Sequence, residues 1–473
     1  MMVKHEESED GNNIDLKSLH YAVGLTITYS FCAFKVFDAI YNAQPTPYLD
    51  EVFHIPQANK YCNGSFTEWD PKITTLPGLY IFSIGFLKPF SWILNRDYCT
   101  TYGLRFTNLL FSIANLILVI GIRHKILECG KKFPVQLLWG SLNLALFPVL
   151  YFFTFLYYTD QISTLLVLLM YRLYLGQNFN CSALAGLISV ICRQTNIIWV
   201  AFFAIQLGLE SLEAHLLRIQ KKKDSRKYLE NLMFFFSGLL REPRVHMTLV
   251  KDLIKKEAGY VMTGVSFLAF LWVNKGIVVG DRSAHQAVIN LPQIFYFSMF
   301  FLFFSFPYAV VRVKKFCKFV FQNPVFVFCL VLISIAVVAF NTEVHPYLLA
   351  DNRHYTFYLW RYYKRHWSIP YILVASHVFG LFSVYNCLGH NKYSFQLAFY
   401  ACFFLSLVFQ KLLEFRYFIL PFLIIRLNMK VESRWQLLLE FLIFLCSNAY
   451  TINLFLTRTF SWADSPDVQR FMW

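Results

Sequence analysis

The run LHYAVGLTITYSFCAFKVFDAIY, residues 19–41, decides the class of this protein. Roughly 20 apolar helical residues cross a hydrocarbon core about 30 Å thick, and this run has that length. Residues 1–18 in front of it are acidic and polar, with no basic n-region and no small-residue cleavage site. We therefore expect a cytosolic acidic head over 1–18 and an uncleaved signal anchor that starts the membrane domain at residue 19.

Composition extends this prediction from one helix to the whole chain. The 473 residues are 57% hydrophobic and 19% aromatic, and only 15% are charged, against roughly a quarter in a soluble domain. These values exclude both a water-soluble globular protein and a disordered one. The formal net charge of +15 reports topology before any nucleic-acid partner, because Lys and Arg collect in the cytosolic loops of membrane proteins.

The placement of charge predicts which side each loop faces. Basic segments at residues 123–132, 218–227 and 312–318 are expected in the cytosol, and the acidic stretch 43–74 in the lumen. Two crossings between residues 74 and 123 would put the first basic segment on the wrong side. The apolar run 75–94 contains prolines and glycines, so we expect it to form juxtamembrane helix on the lumenal side.

With residues 104–122 as the second crossing, the remaining apolar runs alternate consistently and give about 11 to 13 transmembrane helices. The prediction is an all-α polytopic membrane protein with one membrane domain over 19–473. A lumenal loop that carries candidate catalytic acids is expected over 43–103, and a cytosolic insert over 213–257.

The lumenal loop contains two adjacent acids in PYLDEVFHIPQANKY, residues 47–61. Glu51 and His54 are three residues apart and would share a helix face, whereas Asp50 would point about 100° away. Two acids in different surroundings can hold different pKa values, which suits a general base. The alternative is a solvated pair of loop carboxylates.

Two further polar groups stand at the ends of apolar runs, where charge is costly. Asp160 ends the motif YYTD, and its alternative role is the N-cap of the helix that starts QISTLL. Arg193 and Gln194 lie in CRQTN between two short apolar helices. A guanidinium suits a phosphate by bidentate bonding, and the alternative is an internal ion pair with Asp50 or Asp160.

A fourth group of charges comes from three separate segments of the chain and is also assigned to the lumenal face. Its members are Asp281, Arg282 and His285, then Asp351, Asn352, Arg353 and His354, and finally Glu414 and Arg416. Aromatic walls are expected from Trp69, Tyr80, Tyr157, Tyr158 and Trp360. Arginines that take a phosphate, aromatic faces that pack on sugar rings and a carboxylate base fit a lipid-linked sugar phosphate. No Walker motif or GxGxxG fingerprint supports a soluble nucleotide.

Several of these motifs resemble a known family. They are PYLDEVFHIPQANKYCNG, WDPKITTLPGLY, FLYYTD, CRQTNIIWV, GDRSAHQA, YLLADNRHYTFYLWR, QKLLEFRYFILP and the terminal QRFMW. From about residue 45 onward the chain resembles the dolichyl-phosphate-glucose-dependent α-1,2-glucosyltransferases that complete the N-glycan precursor in the endoplasmic reticulum. The acidic head and residues 210–257 carry none of these motifs.

The resemblance implies a GT-C type glycosyltransferase of the endoplasmic reticulum membrane, with lumenal juxtamembrane helices and an acidic catalytic residue in the first lumenal loop. The donor would be dolichyl-phosphate glucose, and the acceptor the diglucosylated high-mannose oligosaccharide on dolichyl diphosphate. Transfer would invert the anomeric carbon and need no metal ion or other cofactor.

The candidate residues then take roles in this reaction. Asp50 is the expected base, with Glu51 as the next candidate. Donor-phosphate contacts are assigned to Arg193, Gln194, Arg282, Arg353, His354 and Arg416, and sugar or acceptor contacts to His54, Trp69, Tyr158, Asp160 and Asp351. A related dolichyl-phosphate-mannose mannosyltransferase and a membrane transporter or channel remain the alternatives.

The sequence leaves two covalent modifications undecided, a disulfide and N-glycosylation. Cys62 and Cys99 both fall in segments placed outside the cytosol, so one disulfide is possible there. Asn63-Gly64-Ser65 is a glycosylation sequon on the lumenal side, and Asn180-Cys181-Ser182 is one on the cytosolic side. Modification of Asn180 would contradict the predicted topology.

Overall fold

Helices make up nearly all of the structure, a computed structural model that describes residues 16–130, 132–220, 243–282, 287–430, 433–463 and 465–473. Predictions for most of the acidic head, for the Lys-rich stretch 221–227 and for His285 lie outside these residues.

The first half of the described chain contains nine helices. They are α1 (Leu16–Ala43), α2 (Glu51–Cys62), α3 (Gly78–Leu94), α4 (Thr101–Ile126), α5 (Val135–Ala145), α6 (Pro148–Phe152), α7 (Asp160–Leu175), α8 (Phe179–Cys192) and α9 (Ile197–Gln220). A 3₁₀ turn at Gln194–Asn196 joins α8 to α9.

The second half of the described chain continues in the same way. Its helices are α10 (Pro243–Asn274), α11 (Pro292–Phe304), α12 (Phe306–Ala309), α13 (Val313–Gln322), α14 (Pro324–Phe340), α15 (Pro346–Ala350), α16 (Tyr355–Tyr363), α17 (Ile369–Ile372), α18 (Val374–Leu388), α19 (Tyr393–Val408), α20 (Ile419–Leu427) and α21 (Arg434–Thr457). Helices α11, α14 and α15 begin with proline, which lacks the N–H that a first helical turn would leave unpaired.

Membrane-spanning helices are present, as the composition predicts. Among the described residues, the five that are long and apolar enough to cross alone are Leu16–Ala43, Thr101–Ile126, Gln194–Leu216, Ile369–Leu388 and Arg434–Thr457. A sixth is the pair Pro292–Phe304 and Phe306–Gln322, bent by 92°. The sequence predicted about 11 to 13 spans, more than these six, and four further apolar helices of the described chain are too short to be counted with them. These are Gly78–Leu94, Phe179–Cys192, Pro324–Phe340 and Tyr393–Val408.

Where the structure describes the expected insert over 213–257, at residues 213–220 and 243–257, the chain continues two long helices. Helix α9 runs on to Gln220, and α10 begins at Pro243 rather than near residue 258. Leu212 and Leu216 of α9 form a small buried cluster with Leu249 of α10. Apolar residues at helical spacing therefore extend both helices and hold them together as a hairpin.

The loop between α1 and α4 is folded back on itself around α2 and α3. A disulfide joins Cys62, the last residue of α2, to Cys99, just before α4. The Tyr80 hydroxyl on α3 contacts His54 Nδ1 on α2 at 2.5 Å. These contacts fix the start of α2, where the candidate acids lie.

One exception to the all-helical prediction is a C-terminal hairpin. Strands β1 (Thr459–Trp462) and β2 (Ser465–Arg470) pair antiparallel, with Thr459 opposite Arg470. The hairpin returns the chain toward α2, since the Tyr48 hydroxyl donates to the Arg470 carbonyl at 2.6 Å and accepts from its N–H at 2.8 Å.

A buried ion pair ties α20 to α21 away from this loop. Arg426 Nε lies 2.6 Å from Glu440 Oε1, and neither side chain is exposed. Asn143 and Tyr308 also donate to Glu440. A charge pair without water requires such additional hydrogen bonds, so this group is read as structural.

Candidate active site

The two adjacent acids lie at the start of α2. Asp50 is the N-cap and Glu51 the first helical residue. Leu49 before them has a φ of 55°, a left-handed conformation that a residue with a side chain rarely adopts. The N–H of Asp50 donates to the Tyr158 hydroxyl at 3.2 Å. This turn directs the two carboxylates to different surroundings.

Glu51 points into the protein and is fully bonded there. Its Oε1 accepts from Arg105 Nε at 2.8 Å and from the Tyr157 N–H at 2.5 Å. Its Oε2 accepts from Arg105 Nη2 at 2.6 Å and from the Tyr48 N–H at 2.9 Å. Both charged side chains have 0% exposure. The expectation that Glu51 is an alternative base is therefore corrected: its carboxylate has no free side for a substrate.

Asp50 points the other way and is accessible. Its side chain is 46% exposed, and its Oδ2 lies 3.4 Å from Arg416 Nη2. A carboxylate that is half exposed and held by one guanidinium can accept a proton from a bound hydroxyl. The geometry thus distinguishes two acids that the sequence left as alternatives.

Arg416 is the centre of the charged cluster. It contacts three carboxylates: Glu414, Asp50 at 3.4 Å and Asp160 at 3.6 Å. Its guanidinium lies over the ring of Tyr158 at 5.1 Å. Burial lowers the pKa of Arg416, but the negative charges of these acids outweigh it and raise the pKa well above its ordinary value. Arg416 is therefore charged throughout the physiological range.

Asp160 joins a second arginine to the cluster. Its Oδ1 accepts from Arg193 Nη1 at 2.9 Å, and its side chain is fully buried. Thr159, not Asp160, is the N-cap of α7, so the alternative role of Asp160 as that cap is wrong. The internal ion pair considered for Arg193 is present, while its side chain keeps 18% exposure.

A small cavity opens beside these groups. About 40 Å³ of its volume is open to water. Asp160, Arg193 and Arg416 line it together with the polar side chains Ser163, Thr164, Asn196 and Gln410. The two guanidiniums of the cluster, Arg193 and Arg416, together contact three carboxylates, Asp50, Asp160 and Glu414. The most exposed of the three carboxylates is Asp50.

The motif ADNRH forms a separate group that pairs with the C-terminal segment. Arg353 binds Asp351 through two hydrogen bonds of 2.8 Å and lies over the Trp462 ring at 4.6 Å. His354 Nδ1 contacts the Trp473 carbonyl at 2.7 Å. Burial raises the pKa of Asp351, but the hydrogen bonds and charge of Arg353 outweigh it, so the pKa lies below its ordinary value. The positive charge of Arg353 is thus already balanced by Asp351 of the same loop.

Arg282 and Gln194 do not join the charged cluster. Arg282 donates to the backbone carbonyls of Asn274, Lys275 and Val278 and caps the end of α10. This corrects its prediction as a phosphate ligand, because its donors are used at a helix end. Gln194 donates to the Thr74 carbonyl at 3.0 Å and so holds the loop after α2.

Four of the five predicted aromatic residues lie around α2, whereas Trp360 packs on Tyr296 and Tyr363 instead. Trp69 packs on Tyr80 with ring centroids 5.9 Å apart, and Tyr158 lies between Asp50 and Arg416. Burial lowers the pKa of His54, against the opposing charge of Asp50, so its imidazole is neutral at pH 7. His54 therefore presents a neutral hydrogen-bonding ring beside the acids.

Some residues that build the site were not predicted. Arg105 received no role, although an arginine inside the apolar run of α4 signals a buried partner. Glu414 has no role among the residues predicted for the reaction, and no sequence motif pairs Tyr48 with Arg470. In the part of the chain that the structure describes, no three His, Cys, Asp or Glu side chains are grouped to hold one metal ion.

Comparison with known proteins shows the family of this chain. Residues 44–427, from just before Asp50 to beyond Arg416, match the model of the DIE2/ALG10 family. A Mus musculus and a Homo sapiens protein are each 40% identical over 97% of this chain and 99% of their own length. A Drosophila melanogaster protein is 35% identical over 90% of this chain and 93% of its own.

All three relatives are named Dol-P-Glc:Glc(2)Man(9)GlcNAc(2)-PP-Dol alpha-1,2-glucosyltransferase. No solved structure matches this chain. The family resemblance seen in the motifs is confirmed over nearly the full length. The chain belongs to the DIE2/ALG10 family.

Proposed function

We propose that this protein transfers glucose from dolichyl-phosphate glucose to Glc₂Man₉GlcNAc₂ on dolichyl diphosphate and forms an α-1,2 linkage. The names of relatives that match nearly the whole chain support this donor, acceptor and linkage. The structural observation that carries it is the half-exposed Asp50 beside Arg416, in one cluster with Asp160 and Arg193. The mannosyltransferase and transporter alternatives find no support among these relatives.

The reaction is a single displacement with inversion. Asp50 accepts the proton of the 2-hydroxyl of the terminal acceptor glucose while that oxygen attacks the anomeric carbon of the donor. The bond from the anomeric carbon to the phosphate oxygen breaks, and dolichyl phosphate leaves with both bonding electrons. A β-linked donor then gives an α-linked product.

The arginines of the cluster meet the charge that develops on the leaving phosphate. Arg193 and Arg416 both line the cavity, and both keep some exposure, at 18% and 15%. Placed donors stabilise a developing anion most strongly where water is scarce. In this proposal they take the role that a divalent cation has in other glycosyl transfers. His54, Trp69 and Tyr158 form the wall for the sugar.

The protein works in the endoplasmic reticulum membrane with this site toward the lumen. The apolar helices support a multi-pass membrane protein, and the substrates named for the relatives are dolichol-linked. The Cys62–Cys99 disulfide beside the site suits an oxidising compartment.

The test is glucose transfer by Asp50→Asn in reconstituted vesicles, with labelled dolichyl-phosphate glucose and the diglucosylated acceptor. A placed base contributes about a hundred- to ten-thousandfold in rate. We therefore expect the kcat of Asp50→Asn to be lower than that of wild type by a factor in this range. The matched control is Glu68→Gln on the same loop, whose surface pair with Lys60 is largely exposed. This control should transfer glucose at the wild-type rate.

Two results would contradict the assignment. Transfer by Asp50→Asn within about tenfold of wild type would remove Asp50 as the base. Transfer of mannose in preference to glucose, with both dolichyl-phosphate sugars offered to the wild-type protein, would remove the proposed donor.

A further inference from the structure

Helix α13 is amphipathic to an unusual degree. At about 100° per residue, Lys314, Lys315, Lys318 and Gln322 fall within an arc of about 100°. The rest of the helix circumference is apolar and carries Val313, Phe316, Cys317, Phe319, Val320 and Phe321. The three lysines are exposed, and none forms an ion pair with the described residues.

The helix turns sharply away from the span before it. The axis of Phe306–Gln322 is bent by 92° from Pro292–Phe304. Arg312 lies after this bend, and its Nη1 donates to the Tyr308 carbonyl one turn earlier in the same segment. If α11 crosses the bilayer, α13 lies nearly parallel to the membrane plane.

The apolar side of α13 packs against α18, and the next helix, α14, is again apolar. Phe316 stacks against Phe379 and Phe382 of α18, each at 5.2 Å. Helix α14 follows directly, and its first turns are exposed, with Val325 at 75%. An apolar helix with that exposure lies in lipid, so α13 must lie at the boundary between lipid and water.

This boundary is the one opposite the charged cluster. Gln293, at the start of α11, donates to the carbonyls of Gln410 and Leu412, just before Glu414. Helix α13 follows the far end of α11, about 20 Å away for a helix of 13 residues. The lysines therefore serve something other than the donor phosphate at the cluster.

We propose that α13 is a docking site for anionic phospholipid headgroups, bound by Lys314, Lys315 and Lys318. Lysine stems lie along the apolar surface and place their ammonium groups at headgroup level. Each basic residue near an anionic membrane surface raises the affinity for that surface about fivefold. Charge complementarity favours this occupant, because the face offers three cations and no acid.

The test titrates phosphatidylserine into the purified full chain in neutral detergent and follows the rise in melting temperature. Lys314→Gln/Lys315→Gln/Lys318→Gln should shift the titration midpoint to about a hundredfold higher lipid concentration at low salt. The difference should shrink at high ionic strength. Phosphatidylcholine should give no difference between the two proteins.

Two control variants make the result specific. Replacing the same lysines by arginine keeps the charge and should keep the wild-type midpoint. Arg361→Gln/Lys364→Gln/Arg365→Gln removes the same charge from an exposed site beside α16 and should also keep it. If the triple glutamine variant does not fold, Lys318→Gln alone should shift the midpoint about fivefold. Equal midpoints for wild type and the glutamine variants, or an equal loss in the Arg361 control, would overturn the proposal.

Discussion

Two neighbouring carboxylates show how a single residue position decides between structure and chemistry. The sequence indicated that Asp50 and Glu51 would have different surroundings, and the structure confirms this. It could not indicate which acid is buried, because the partner of Glu51 is Arg105, 54 positions further along the chain. No local pattern connects two residues at that separation.

Glu51→Gln should destabilise the protein rather than stop its chemistry. The change leaves the Arg105 guanidinium buried without its counter-charge, and breaking such a pair costs about 3–5 kcal/mol. We expect a clearly lower melting temperature in detergent than for wild type. Asp50→Asn, at a half-exposed position, should melt close to wild type.

The double variant Glu51→Gln/Arg105→Gln removes both charges and is the matched control. It should recover part of the stability that Glu51→Gln loses, since no uncompensated charge remains. A Glu51→Gln protein that melts like wild type but transfers no glucose would show that Glu51 takes part in the chemistry.

The arginines predicted to bind phosphate do not all lie at the charged cluster. The reason is physical and cannot be read from the sequence. Arg193 and Arg416 reach the acids of the cluster, as expected from the concentration of charge on one face. Arg282 instead caps the end of α10, and Arg353 pairs with Asp351 two positions before it. The residue type predicts the need for an anionic or carbonyl partner, but only the fold determines which partner is near.

At the scale of elements, the start of α2 depends on a segment from the other end of the chain. Tyr48 is 4% exposed, and its hydroxyl makes two hydrogen bonds to the backbone of Arg470. The Arg470 side chain in turn donates to the Ala43 carbonyl at the end of α1. Strand β2 thus holds both flanks of the turn that presents Asp50. The alternation of polar and apolar residues over 459–470 was too short to be predicted as a hairpin.

Tyr48→Phe should therefore lower kcat more than it changes KM. Without the hydroxyl, two buried backbone groups of Arg470 lose a partner, at a cost of about 1–3 kcal/mol, and the turn before Asp50 is less fixed. Transfer should fall about tenfold, as expected when a reacting group is misplaced. Glucose transfer over a range of acceptor concentrations separates the two constants.

Tyr29→Phe is the control for this prediction. Tyr29 is also 4% exposed, and its hydroxyl contacts Ser112 at 2.6 Å in α4, away from the cluster. The Tyr29→Phe variant should lose about as much stability as Tyr48→Phe but keep the wild-type kcat. Equal kcat values for Tyr48→Phe and wild type would mean that the hairpin does not position Asp50.

At the scale of the whole molecule, class and general layout were predictable, but the number of spans was not. Apolar composition is sufficient to predict a multi-pass protein. The individual spans are divided near residues such as Pro148 and Pro307, which lie in the first turn of new helices. A count of apolar runs therefore differs from a count of continuous helices, and the side that each loop faces must be measured.

Helices α7 and α8 form a pair that separates the Asn180 sequon from the charged cluster. Asp160 starts α7, and its partner Arg193 directly follows α8, so both ends near the cluster are fixed. Asn180 lies at the other end of the pair, about 24 Å away for a helix of 16 residues. Asn63, by contrast, is the C-cap of α2, the helix whose N-cap is Asp50, and so belongs to the same loop as Asp50. The two asparagines should therefore face opposite compartments.

Asn63 should carry an N-glycan if the cluster faces the lumen. It is exposed, and Gly64 after it adopts a φ of 87°, which places the sequon in an open turn. Endoglycosidase treatment of the full chain from eukaryotic cells should increase its mobility on a gel, and Asn63→Gln should abolish the change. Asn180→Gln should have no effect, because Ser182 of that sequon is buried and donates to the Met170 carbonyl. A mobility change that survives Asn63→Gln and disappears with Asn180→Gln would place the acids of the cluster in the cytosol, where this donor and acceptor could not both meet them as proposed.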